Sequence, residues 1–454
     1  MGVVLREVAV PDFGRPVEPP AVPADAYGKR CREAYARAKC DWLVVYGDRE
    51  HSANLAFLSG YDPRFEEALL LLGPGERRVL VVGNEGEAYA PLAGLPRLEA
   101  ALAQSLSLMG QDRSLKPNLA SVLREAGLKV GQTVGLVGWK YLEPAEWEEA
   151  RPGFFAPHSL VALLGRIVGG LDGVKEATPV LMHPETGLRA VVDADHIALN
   201  EWGAARASAA VWRIVKGTRV GVSEFEAAIA MGYAGEPLTA HVMYATGGEG
   251  EAVVGLRSPG SRIVKRGDGV AAAIGYWGGL SARAGLVSDG DEAFRKTAAA
   301  YFEGLLAWFA AADIGVAGGS IFEAVDEALK RGGLRSLLNP GHLTGHDEWV
   351  HTPIRLGSPE RIASGMPMQV DIIPAPMPLG WALNCEDGVV FANASLRAEL
   401  AARWPAVMER IEARRAFVRD QLGVAIKDTI LPLSSTPLCL PPFWLAPGRL
   451  LIRE

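Results

Sequence analysis

Acidic residues are absent from one stretch of this chain. From Gly269 to Ser288 there is no Asp or Glu, although 53 acids are spread over the 454 positions. Cysteine is scarce as well. Cys31, Cys40, Cys385 and Cys439 are too few and too scattered to form a disulfide framework, so a reduced, cytoplasmic setting is expected. No uncharged apolar run reaches the roughly 20 residues of a spanning helix, and no membrane partner is expected. No basic run offsets a net charge of -7, which argues against nucleic acid as a partner. The first residues lack the basic segment and apolar core of a secretory signal.

What is present fits a multi-domain globular chain. Its length allows two or three domains with full cores, and 49% of it is apolar against 22% charged. Residues 1–24 are Pro-rich and read as an irregular arm. Residues 25–184 alternate helix and buried strand: an amphipathic helix over Tyr27–Lys39, then strands at 42–46, 68–72, 79–82 and 133–138. That alternation predicts an α/β domain. Residues 185–425 open with a long helix over Glu185–Val215, in which Leu188, Val192, His196, Leu199 and Trp202 recur at helical spacings. Strands at 240–244, 269–275 and 368–373 follow, with helices at 291–312, 320–331 and 394–422, which predicts α+β. Residues 426–454 read as a Pro-rich tail.

Histidine is rare, with eight in the chain, yet three of the eight crowd into one segment as His342, His346 and His351. Asn339-Pro340-Gly341 is a turn that delivers the first of them. Asp371 and Glu386-Asp387 follow on apolar strands, where an unpartnered carboxylate would be costly. Imidazole nitrogen and carboxylate oxygen are what divalent cations and acid/base chemistry use.

The order of motifs resembles the creatinase/prolidase/aminopeptidase P family, the pita-bread proteins, over roughly residues 25–425. Asn54-Leu55-Ala56-Phe57-Leu58-Ser59-Gly60-Tyr61 is similar to that family's Asn-x-x-Tyr-Leu-Thr-Gly-Phe stretch. Gly217-Thr218 with Ser223-Glu224-Phe225-Glu226 resembles its Gly-x-Thr-Glu-x-Glu helix start, and Lys265-Arg266-Gly267-Asp268 its Lys-x-Gly-Asp. Ser364-Gly365-Met366 with Asp371, and Cys385-Glu386-Asp387, resemble the Gly-Met-x-x-x-x-Glu-Pro and Ile-Glu-Asp stretches. The resemblance implies a creatinase-like α/β amino-terminal domain, an α+β pita-bread carboxy-terminal domain and a homodimer.

It also implies a site of two Asp, one His and two Glu around two metals. Carried over, His346 fits the metal-binding imidazole, and His342 and His351 fit substrate-binding histidines. Glu386 keeps the bridging glutamate, while Asp371 replaces a glutamate. The two aspartates are missing. Ala273 stands at the first, five residues after Asp268; the best fit, with one deletion, puts Arg283 at the second, and another alignment makes Arg283 the arginine that normally follows it. Two cations need several carboxylates to offset their repulsion, so a dinuclear centre is not expected. An inward Arg283 could neutralise Glu386 or Asp371 in place of a cation, or, with Arg257, bind a substrate carboxylate.

Three readings follow. One is a C–N hydrolase for a small amide, dipeptide or guanidino compound, metal-free, with His346, His342 or His351 as acid/base and Glu386 assisting. Another is a mononuclear metallopeptidase that holds Mn, Zn or Co on His346, Asp371 and Glu386. The third is a non-catalytic binding protein on the same fold.

Overall fold

A computed structural model describes residues 2–149 and 151–454. The chain divides into two compact units, one of Ala21–Ala190 and one formed by the residues up to Pro20 with Val191–Glu454.

The Ala21–Ala190 unit is built on a six-stranded sheet. Its order is Glu99–Leu102, Arg77–Val82, Ala68–Gly73, Trp42–Gly47, Val134–Val137, Val174–Glu176. The last three strands run parallel, while Ala68–Gly73 is antiparallel to both of its neighbours. Trp42–Gly47 is buried along its whole length, which is why it reads as a continuous apolar run. Val44, Leu69, Leu71, Val81 and Leu136 pack with Leu123 and Leu164 of the helices Leu119–Ala126 and His158–Val168.

The second unit carries a seven-stranded antiparallel sheet. Its path runs His342–Leu343, Pro367–Val370, Asn384–Phe391, Gly279–Leu286, Gly269–Tyr276, Met243–Gly247, and Ile430–Pro432 adds to Asn384–Phe391. The helix Ala194–Gly217 packs on the two central hairpin strands. Small residues permit this approach: a Cβ at Gly203 would meet the Trp277 carbonyl oxygen at 1.9 Å.

Four expectations are revised. The helix expected from Glu185 starts at Ala194, where the Asp193 side chain accepts a hydrogen bond from the His196 backbone N–H. The single helix expected over 394–422 is two, Ala394–Arg403 and Pro405–Asp420, because proline cannot continue a helical hydrogen-bond ladder. The amino-terminal segment is not irregular throughout, since Val3–Glu7 pairs antiparallel with Arg449–Arg453. Its prolines all follow that strand and masked the apolar Val3-Val4-Leu5. The carboxy-terminal segment likewise supplies two strands, Ile430–Pro432 and Arg449–Arg453. No helix among the described residues is long and apolar enough to cross a membrane.

Candidate active site

Register brings the candidate groups together. Gly341, at φ +134°, lets the chain turn hard against the sheet, where a Cβ would meet the Gln369 carbonyl oxygen at 2.8 Å. The next residue, His342, pairs with Gln369. Val370 pairs with Asp387, so Asp371 comes abreast of Glu386. The result is a cluster of His342, Asp371 and Glu386 whose candidate ligand atoms all lie within 4.8 Å of one another. All three are buried, and His342 is fully so.

Two residues that the sequence did not single out complete the surroundings. Glu348 Oε1 lies 3.0 Å from His342 Nε2, and Glu386 Oε1 lies 3.9 Å from the same nitrogen. The Trp349 ring stacks on the imidazole, with centroids 4.1 Å apart and planes 18° from parallel. Both lie in the connection between His346 and His351; the only signal for them was that position.

Crowded carboxyls under burial resist ionisation. Burial, with the Glu348 charge adding and His342 opposing, pushes Asp371 up to about 6. Glu386 is pushed well above the usual carboxyl range by burial, then by Asp371 and Glu348. For His342, burial works against the charged form, but the Glu348 hydrogen bond and the charges of Glu348 and Asp371 outweigh it and raise its pKa. Asp371 Oδ1 and Glu386 Oε1 are buried without a hydrogen-bond partner among the described residues.

The imidazole in this cluster is His342 rather than the expected His346. Gly278 N–H donates to the Gly345 carbonyl at 2.8 Å, tying the loop to the Trp277-Gly278 hairpin turn. His346 is thereby set against Trp277, at 4.8 Å between ring centroids, and against His196 at 5.1 Å. His351 bridges Leu343, and its Nδ1 accepts from the Thr352 backbone N–H at 2.8 Å.

Arg283 lies neither at a ligand position nor in contact with the cluster carboxyls. Ala282 pairs with both Ala273 and Glu386, so these three share one face and Arg283 takes the other. There its guanidinium binds Asp387 Oδ2 at 2.8 Å. Its remaining donors reach the carbonyls of Cys439, Ala282, Glu386 and Thr436 at 2.6 to 3.0 Å. It is 1% exposed and has no donor left for a substrate. The hairpin turn is two residues, Trp277 and Gly278, and its register sets Arg283 opposite Ala272 and Cys385. Arg257 is also engaged, donating to buried Glu224 at 2.6 Å.

On the cluster face, the methyl groups of Ala273 and Ala282 pack with Met243 and Leu280. The lining beside Glu386 is therefore apolar.

Comparison with solved structures places this architecture. Dipeptidase PepE from Mycobacterium ulcerans aligns at TM-score 0.59 and 20% identity, over 84% of this chain and 95% of that one. Prolidase from Pyrococcus furiosus aligns at TM-score 0.61 and 17% identity, over 79% and 95%. A prolidase from Thermococcus sibiricus aligns at 0.63 and 15%, over 82% and 95%. The chain has the prolidase fold. No family model and no curated protein matches its sequence, so the likeness lies in the fold rather than in closely related sequence. On the prolidase fold, the described cluster is assembled from three adjacent strands of the antiparallel sheet.

Proposed function

We propose that the chain is a peptidase-like hydrolase that cleaves a C–N bond of a small amide, dipeptide or guanidino substrate without a dinuclear metal centre. The observation that carries this reading is the convergence of His342, Asp371 and Glu386 within 4.8 Å. Two buried carboxyl oxygens there lack a partner among the described residues. Such atoms cost about 1–3 kcal/mol each, and folds retain them where a ligand or reacting group will use them. The names of the structural neighbours, Xaa-Pro dipeptidase and prolidase among them, support a dipeptide as the first substrate to test.

In this reading Asp371 takes a proton from the attacking water and Glu386 gives one to the departing nitrogen. Glu348 holds the His342 imidazole and favours its charged form, and that positive charge steadies the developing oxyanion. His342 takes the place in the site first expected of His346, while the acid/base work falls to the two carboxyls. A two-cation centre does not fit, because alanines stand beside Glu386 where further carboxylates would be needed.

A second reading is favoured by the same unpartnered oxygens. His342, Asp371 and Glu386 form a donor set for one Mn, Zn or Co ion with open positions remaining. Such an ion would polarise a carbonyl and acidify a bound water. A hydrolysis screen decides between them: dipeptides, Xaa-Pro peptides and guanidino acids, with and without Mn²⁺, beside His342→Ala and His346→Ala. Activity that is independent of metal and lost in His342→Ala supports the first reading; a requirement for one equivalent supports the second. Activity unchanged in His342→Ala contradicts both readings of this site, and no activity with any substrate leaves a binding protein. A cytoplasmic homodimer completes the proposal, and sedimentation of the native chain tests the dimer.

A further inference from the structure

The Ala21–Ala190 unit has a cleft of its own, about 760 Å³ in volume. It runs along the helices Leu119–Ala126 and His158–Val168, and Leu69, Leu106, Leu119, Leu160 and Leu163 form its apolar lining. Three charged side chains also line it: Glu67, Arg124 and Arg166. All three are exposed, and among the described residues none of them is in an ion pair.

Topology sorts these charges to opposite ends. Each helix leads by a short turn, residues 127–133 or 169–173, into one of two parallel strands, Val134–Val137 or Val174–Glu176. Both helices therefore finish at the same end of the sheet, and Arg124 and Arg166 lie in their last turns. Glu67 immediately precedes Ala68, which pairs with Gly47 at the far end of Trp42–Gly47. That end is where the helices begin. The Glu67 charge acts on neighbouring Tyr46, whose hydroxyl donates to Asp48 at 3.0 Å. From Ser159 to Arg166 the helix rises about 10 Å. An extended tripeptide spans about the same length.

We infer that this cleft binds a short apolar peptide, close to three residues long, with its carboxylate between Arg124 and Arg166 and its amine at Glu67. Two arginines at one end and a carboxylate at the other match a zwitterion of that span. Leucines between them match apolar side chains. The site is separate from the His342 cluster and does not depend on the hydrolase reading.

The test is calorimetric titration of the full chain with tri-leucine. It is repeated in a Glu386→Gln chain so that cleavage at the cluster contributes no heat. The expected result is saturable binding, weakened roughly tenfold or more both in Arg124→Ala/Arg166→Ala and by amidation of the peptide carboxylate. Glu67→Gln and acetylation of the amine weaken it in the same sense. Absence of binding to the native chain overturns the proposal. So does affinity unchanged in the double variant, or binding that persists there but disappears in His342→Ala, which would put the peptide at the cluster.

Discussion

Glu386 and Asp387 are consecutive carboxylic acids on one strand, both buried, and they face opposite sides of the sheet. Asp387 is saturated. Its Oδ2 takes Arg283 at 2.8 Å and the Leu438 backbone N–H at 2.9 Å, while Ser281 reaches its Oδ1. Glu386 keeps an oxygen with no partner among the described residues, and its neighbours are another carboxyl, an imidazole and two methyl groups. One side of the strand is satisfied as structure, and the other keeps a carboxyl oxygen without a partner among the described residues. Charge alone does not distinguish the two residues; satisfaction of their hydrogen bonds does.

The comparison is broken most severely by removing Arg283. Arg283→Ala leaves Asp387 as an uncompensated buried charge and is expected to lower stability by about 3–5 kcal/mol in denaturant titration. A loss under 1 kcal/mol would mean that the Asp387 side is not the structural one. Next in size is an attempt to fill the open side. Ala273→Asp with Ala282→Asp introduces two buried carboxyls, and in chelator the protein is expected to lose about 3 kcal/mol. Added Mn²⁺ should recover part of that loss. No recovery with added Mn²⁺ would argue against a cation on this face.

A third carboxyl, in the other unit, sharpens the rule. Glu176 has one oxygen satisfied by the Thr178 backbone N–H at 2.6 Å and one buried without a partner. Burial raises its pKa from 4.5 to about 7. The folded state therefore holds its proton after the unfolded state has released it. The resulting loss of stability begins near pH 4.5, grows to about pH 7 and then levels off, at no more than about 3 kcal/mol. Chemical denaturation across that range, beside Glu176→Gln, should show the slope flattened in the variant. The smallest effect is expected of Glu386→Gln. Stability should change by less than about 1 kcal/mol, because a neutral amide replaces a carboxyl whose ionisation burial already opposes, while hydrolysis is lost.

The sequence carried the position of the site better than its wiring. Asp371 and Glu386 were legible because isolated acids in apolar strands need a reason to be there. His342 against His346 was not legible, since four residues on an unregistered segment could point either imidazole at the carboxyls. Only the pairing with Gln369 decides it. Arg283 was misplaced for a related reason: a change of one residue in the turn length would flip every side chain that follows, and the sequence does not show the register. The absence of acids over 269–288 was legible, and the register gives it meaning by setting Ala273 and Ala282 in one row with Glu386. In the fold, the break at Pro405 was written in the residue itself, whereas Val3–Glu7 needed its partner at Arg449–Arg453 to be recognised as a strand.

On the proposed reading, the His342 side of this sheet can hold no more than one cation. Saturating the native chain with Mn²⁺, dialysing and measuring bound metal tests it most directly. The account expects at most one equivalent per chain, and that any bound equivalent disappears in His342→Ala. Two equivalents, or one that survives His342→Ala, would contradict it.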